Sequence, residues 1–285
     1  MLKSYNVMLD NTIIKKIEEF VYSKPRSIQE IAQNIGKNWR TADRYILEIE
    51  KNFGTLATRT FREGTRGALK IVYWASVEKA SSSVFQEKLE AEITLARKEE
   101  DFSAFDIFQH ISDKNKKANV EKAESEDKTN LKELAEYLEK TEKQLISFTG
   151  NLSWINLKNK SLDFFNILER LVKKGVSIKV ITRVDLASLD NVERILSLNF
   201  KYGKELVEVR HREQPLRALI IDNKLLRIKE IKEPTGKINE LNKRVFIFYT
   251  IKDKEWIEWT KRIFWKMFSS SISAKSRIEE LKKLK

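Results

Sequence analysis

The chain has 285 residues, enough for two domains that each bury a core. Lys and Arg number 55 against 42 Asp and Glu, so the net charge of +13 favours a polyanionic partner, nucleic acid or an anionic membrane surface. The absence of cysteine excludes disulfides and thiolate zinc, and two isolated histidines, His110 and His211, argue against a histidine metal site. No apolar stretch has the length of a bilayer span, and Met1-Leu2-Lys3-Ser4-Tyr5-Asn6 lacks the apolar run of a signal peptide. The expectation is therefore a cytoplasmic protein without cofactor or metal.

Charge divides the chain into three regions. Residues 1–77 hold 13 basic and 8 acidic residues, residues 79–128 hold 9 and 12, and residues 129–285 hold 33 and 21. The expected organisation is a basic N-terminal domain over 1–78, a partly helical charged linker over 79–128 and a larger domain over 129–285. Within the middle region, Phe85, Leu89, Ile93 and Ala96 recur at helical spacing, while residues 115–128 carry almost no apolar side chain and read as a solvated linker.

In chain order, Ile13, Ile14, Ile17, Phe20 and Val21 form one helical stripe behind Asp10 or Asn11, and Pro25 ends that helix. Ser27 with Glu30 three residues later reads as a capping box on a second helix with Ile28, Ile31, Ala32 and Ile35 inward and Gly36 as its stop. A third helix from about Asn38 has Trp39, Ala42, Ile46 and Ile49 on its inner face and Asn38, Arg40, Thr41, Arg44 and Glu48 on its outer face. Thr58 to Arg62 and Ala68 to Trp74 flank the Gly-containing tip Glu63-Gly64-Thr65-Arg66-Gly67 and predict a hairpin.

The stretch from Ile31 to Ile46, with small Ala32, Gly36 four residues on, and apolar Ala42 and Tyr45 or Ile46, resembles the helix-turn-helix of archaeal winged-helix regulators. The resemblance implies that the third helix is the recognition helix and the hairpin the wing. Arg fits guanine bidentately, Asn fits adenine, and Thr serves phosphate or a thymine methyl. The candidate DNA-binding residues are Lys37, Asn38, Arg40, Thr41, Arg44, Arg59, Arg62 and Arg66. The competing readings are ordinary solvated surface for each cation and a winged helix used for protein contacts.

From Leu131 onward, helices are expected at Leu131 to Leu145, Leu162 to Lys174 and Asp190 to Asn199. Strands are expected at Gln144 to Thr149, Val176 to Thr182, Val207 to Arg210, Leu216 to Ile221 and Val245 to Tyr249. Such alternation predicts a mixed α/β domain, a sheet flanked by helices. The order resembles half of the phospholipase D-like fold, as used in archaeal regulators of the TrmB-like type. That family's H-x-K-x-x-x-x-D motif falls on Pro215 to Asp222, where only the cation Arg217 and Asp222 match; Pro215 stands at the nucleophile. Lys229-Glu230-Ile231-Lys232 stands where G-S-x-N is expected, and the register of His211 would place Ala218 at the Asp position. Proline cannot form a phosphoryl intermediate, so no enzyme activity is expected. Arg217 and Asp222 form a candidate ligand pocket for a small-molecule effector, or a structural pair.

Trp256, Trp259, Ile263, Phe264, Met267 and Phe268 sit at helical spacing, as in a core helix or a homodimer surface. The terminal run with Lys275, Arg277, Lys282, Lys283 and Lys285 reads as a solvated helix end. The leading functional expectation is a homodimeric transcriptional regulator binding double-stranded DNA. The alternatives are a DNA-targeted phospholipase D-like nuclease or phosphodiesterase, disfavoured by Pro215, and an architectural DNA-binding protein without sequence preference.

Overall fold

A computed structural model describes residues 10–52, 55–62, 68–74, 82–122, 129–159, 162–234 and 243–283. The first helix, α1 (Asn11–Ser23), starts where the Asp10 carboxylate accepts the Thr12 N–H at 3.1 Å. The short strand β1 (Arg26–Ser27) leads into α2 (Ile28–Asn34), whose capping box is complete: the Ser27 hydroxyl accepts the Glu30 N–H at 3.2 Å and the Glu30 carboxylate accepts the Ser27 N–H at 2.7 Å. Beyond α2, Gly36 takes φ +67°, a left-handed conformation that costs a glycine little, and the Lys37 N–H then bonds back to the Ala32 carbonyl at 2.9 Å. The chain turns there into α3 (Trp39–Asn52) and continues into β2 (Leu56–Arg62) and β3 (Ala68–Trp74). An antiparallel sheet in the order β1-β3-β2 results. Ile14, Ile17 and Val21 of α1, Ile28, Ile31 and Ala32 of α2, and Ala42, Ile46 and Ile49 of α3 form one core with Leu56 and Val72 of the hairpin.

The middle region is more ordered than its composition predicts. It holds α4 (Ser82–Leu95), α5 (Phe105–Phe108) and β4 (Lys116–Lys122). Leu89 and Ile93 of α4 are buried within the chain, as expected of the amphipathic stretch. The expectation of a solvated linker over 115–128 is corrected for residues 116–122, which form a strand; residues 123–128 lie outside the described residues.

After α6 (Thr129–Glu139) come β5 (Gln144–Phe148), α7 (Phe164–Lys174), β6 (Ser177–Thr182), α8 (Leu189–Tyr202), β7 (Val207–His211) and β8 (Ala218–Ile221). Then follow β9 (Leu225–Lys232), β10 (Val245–Ile251), α9 (Lys254–Ser269), β11 (Ile272–Ser273) and α10 (Ala274–Lys282). The first predicted helix of this region ends six residues early, at Glu139, because Gln144 to Phe148 is claimed by the sheet. The eight-stranded sheet runs β11-β7-β6-β5-β8-β9-β10-β4, with β5, β6 and β7 parallel and β8 antiparallel to both β5 and β9. On one face, buried residues of α6, α7, α8 and α10 join Leu145, Ile178, Val180, Val207 and Val209 in a single core. The opposite face takes α9, where Phe264 meets Phe148 edge-on at 5.1 Å. All six residues of the aromatic stripe are buried, from 0% exposure at Phe264 to 5% at Trp256, so the stripe is core and not a free dimer surface.

The chain divides into two compact units, residues 1–81 with 120–123 and 231–246, and residues 82–119, 124–230 and 247–285. Among the described residues no helix is long and apolar enough to cross a membrane.

Candidate nucleic-acid interface

Because Ala42, Ile46 and Ile49 have no exposed surface, the orientation of α3 is fixed and the opposite face must meet solvent. That face carries Arg40 and Arg44, four residues apart and therefore neighbours on the helix surface. Both are exposed, neither has an ion pair among the described residues, and each guanidinium lies only loosely over its aromatic neighbour, at 5.6 Å from the Trp39 ring and 5.5 Å from the Tyr45 ring. Lys37 is exposed one turn earlier.

Asn38 has a different role from the one expected. Its side-chain oxygen accepts the Thr41 N–H at 2.9 Å while its carbonyl accepts the Ala42 N–H, so it caps α3 and only its amide nitrogen remains to donate. Thr41 is half-buried on the flank of the same turn. The four residues Lys37, Asn38, Arg40 and Thr41 thus gather with Arg44 along the first two turns of α3.

The hairpin does not bring Arg59 to this surface. Strand register pairs Thr58 with Val72, Arg59 with Ile71 and Phe61 with Leu69. Val72 and Leu56 point into the helical core, whereas Arg59 shares the other face with Ile71, Phe61 and Leu69. Arg66 and the side chain of Arg62 lie outside the described residues. Among the described side chains, the hairpin presents Lys70 on the helical side, opposite Thr60, and its ammonium meets the Asp43 carboxylate of α3 at 2.6 Å. Period-two alternation through Lys70-Ile71-Val72 carried that signal, since it puts Lys70 on the face of buried Val72.

At the second unit, the structure separates Arg217 from Asp222. They flank β8 at its two ends, so about five residues of extended chain at about 3.3 Å each stand between them. Arg217 bonds the carbonyls of Leu216 at 2.9 Å and Gln214 at 3.3 Å and pairs with Glu99 at 3.2 Å. A Cβ at Gly150 would lie 2.8 Å from its guanidinium, so a glycine there leaves the space it occupies. Burial dominates both partners, lowering Arg217 and raising the Glu99 carboxyl above its ordinary value while their mutual attraction opposes it.

Asp222 takes φ +50° and Asn223 +56° in the turn between β8 and β9, where Ile221 pairs with Leu225 and the Lys224 N–H bonds the Ile221 carbonyl at 2.9 Å. Its carboxylate accepts the N–H groups of Glu142, Lys143 and Gln144 at 2.8, 2.8 and 2.9 Å. Burial would raise this carboxyl, and the three backbone donors outweigh it and hold it below the ordinary aspartate value. The candidate pocket of Arg217 and Asp222 is thereby corrected: Arg217 is held by two backbone carbonyls and Glu99, and Asp222 by three backbone N–H groups, at opposite ends of β8. His211 is engaged too, its Nδ1 accepting the Val184 N–H at 2.8 Å, and burial followed by the charge of Arg277 lowers its pKa. Among the described residues no cluster of His, Asp and Glu could hold a metal ion.

No family model and no curated protein matches this chain. Among solved structures it is similar to Nuc of Salmonella typhimurium, described as a phospholipase D family member, at 11% identity over 55% of this chain and 97% of that one, TM-score 0.39. NucT from Helicobacter pylori is similar at 12% identity over 55% and 99%, TM-score 0.37. TrmBL2, described as an archaeal chromatin protein, is similar at 14% identity over 94% and 96%, TM-score 0.35. Scores and identities this low carry no functional argument.

Proposed function

We propose that this chain binds duplex DNA, with α3 as the recognition helix of a winged helix-turn-helix, and acts as a transcriptional regulator. The observation that carries the reading is the solvent face of α3: Arg40 and Arg44 stand exposed, with no ion pair among the described residues, on a helix whose other face is locked into the core. An α-helix fits the major groove, and two guanidiniums one turn apart can meet base edges there while Lys37 meets phosphate. The net charge of +13 adds long-range attraction to a polyanion.

In this reading Asn38 organises the helix start, Thr41 flanks the contact strip, and Lys70 steadies α3 through Asp43. Arg62 and Arg66 remain candidate wing contacts. Residues 129–285 form the dimerisation domain without phosphodiesterase activity, and dimerisation uses a surface other than the buried stripe of α9. Two recognition helices in a symmetric dimer suit a palindromic site.

Gel-shift titration at fixed salt tests the assignment of α3. Arg40→Ala and Arg44→Ala are each expected to weaken specific binding by about 1–3 kcal/mol. Full affinity in both variants removes α3 as the reading element.

A further inference from the structure

The lysines of the second unit are not spread evenly. Parallel strands β5, β6 and β7 start level with one another: Gln144 pairs with Ser177 and Ile178 with Val207, and the Lys143 and Leu206 carbonyls accept the N–H groups of Ser177 and Ile178. The helices that precede these strands, α6, α7 and α8, must therefore end along the same edge of the sheet. That edge carries Lys140 after α6, Lys143 before β5, Lys173 and Lys174 in the last turn of α7, and Lys204 after α8. All five are exposed, and none has an ion pair among the described residues.

The carboxylates of the same rim are mostly committed. Glu139 bonds Arg170 at 2.7 Å, Glu169 bonds Lys201 and Tyr202, Glu142 lies 3.8 Å from Lys224, and Asp222 is held by three backbone N–H groups. Glu136 in the last turn of α6 and Glu205 are exposed with no ion pair among the described residues. Lys173 and Lys174 complement the carbonyl end of the α7 dipole, which accounts for two lysines on structural grounds alone. Lys143 opens a strand, and Lys140 and Lys204 lie past their helices, so the helical dipole does not demand the full set.

We propose that this lysine rim is a second, sequence-independent contact for the phosphate backbone of duplex DNA. The inference rests on the reading of the chain as a duplex DNA binder. Helices packed about 8–10 Å apart give the three helix ends a span of about 20 Å. Duplex DNA carries one charge per about 1.7 Å with both strands counted, so a rim of that width runs along a length holding about a dozen phosphates, of which the near side faces it. Lysine is a point charge without the planar fork that reads guanine, so a rim of lysines grips phosphate and does not select sequence.

The test uses the full chain, a labelled random-sequence duplex and fluorescence anisotropy across about 50–200 mM salt. The rim variant is Lys140→Gln, Lys143→Gln, Lys173→Gln, Lys174→Gln and Lys204→Gln together. A charge-matched control carries Lys132→Gln, Lys252→Gln, Lys254→Gln, Arg262→Gln and Lys275→Gln, all exposed positions off the rim. In the rim variant the slope of log affinity against log salt should become shallower by about 2–4, with binding at least about tenfold weaker at the lowest salt. The control should move the slope by less than about 1. Equal slopes in wild type and rim variant, equal losses in rim variant and control, or no binding of duplex by wild type each overturn the proposal. Arg40→Ala with Arg44→Ala forms the separating arm: if it binds like wild type while the rim variant is impaired, the reading of α3 fails and the rim stands. Unchanged melting temperatures show that the exposed substitutions leave the fold intact.

Discussion

At the scale of single residues, the structure reassigns side chains whose chemistry was visible but whose neighbours were not. Asp222 stood out in sequence as the carboxylate of a degenerate motif, yet its partners are the N–H groups of residues 142–144, some eighty positions away. No local pattern announces such a meeting. A depressed carboxyl pKa in the folded state means that the charged form is favoured by folding, so the stabilisation is present above the unfolded value of about 3.9 and is lost as pH falls through the lowered folded value. Asp222→Asn is expected to lower stability near neutral pH by about 2 kcal/mol and to flatten the acid limb of a urea-denaturation series below about pH 4. Asparagine tolerates the positive φ of this turn, so Asp222→Ala should cost more; equal acid limbs in wild type and Asp222→Asn would remove the carboxylate from the account. Arg40 and Arg44 were legible for the opposite reason. Their exposure follows from the spacing of Ala42, Ile46 and Ile49 on the same helix, and spacing is a local quantity.

At the scale of elements, amphipathic segments were readable and charged strands were not. The boundaries of α1 and the capping box of α2 agree with the sequence pattern because Asp10, Ser27 and Glu30 act on backbone within three residues. The strand β9, Leu-Leu-Arg-Ile-Lys-Glu-Ile-Lys, escaped notice because Arg227 and Glu230 break the apolar run and yet are 4% and 6% exposed. Burying an unpaired charge would cost several kcal/mol, so such positions normally read as surface. Here Arg227 bonds Glu133 at 2.8 Å and Asn130 at 2.9 Å, while Glu230 accepts the hydroxyls of Ser103 and Tyr249 at 2.9 Å each. Only the assembled fold supplies those partners, from α6, β10 and the segment at Ser103. Arg227→Ala should therefore destabilise the chain by about 3–5 kcal/mol, and Arg227→Met, which refills the volume without a charge, by distinctly less. Thermal melts of the two variants decide it, and equal losses would show that packing volume is not what distinguishes them.

For the whole molecule, the charge excess and the mixed α/β class were legible from composition and periodicity, whereas the separation of Arg217 from Asp222 was not, because it is set by the extent of β8 between them. Light scattering at micromolar concentration is expected to give a dimer for the full chain; a monomer would contradict dimerisation through residues 129–285. The protein is also expected to leave plasmid DNA and a chromogenic phosphodiester uncleaved, since Pro215 cannot act as a nucleophile and His211 accepts the Val184 N–H on Nδ1. Cleavage present in wild type and absent in His211→Gln prepared in parallel would overturn that expectation. The charged composition that concealed β4 has a further effect. In the sheet order β4 is an outermost strand, and the other end is closed by the two residues of β11. Long apolar outer strands recruit strands from other chains, and lysines and short length are what discourages such growth. Lys117, Glu121 and Lys122 make β4 a poor template for a ninth strand, so a chain with a large sheet and a concentrated hydrophobic interior can remain unaggregated.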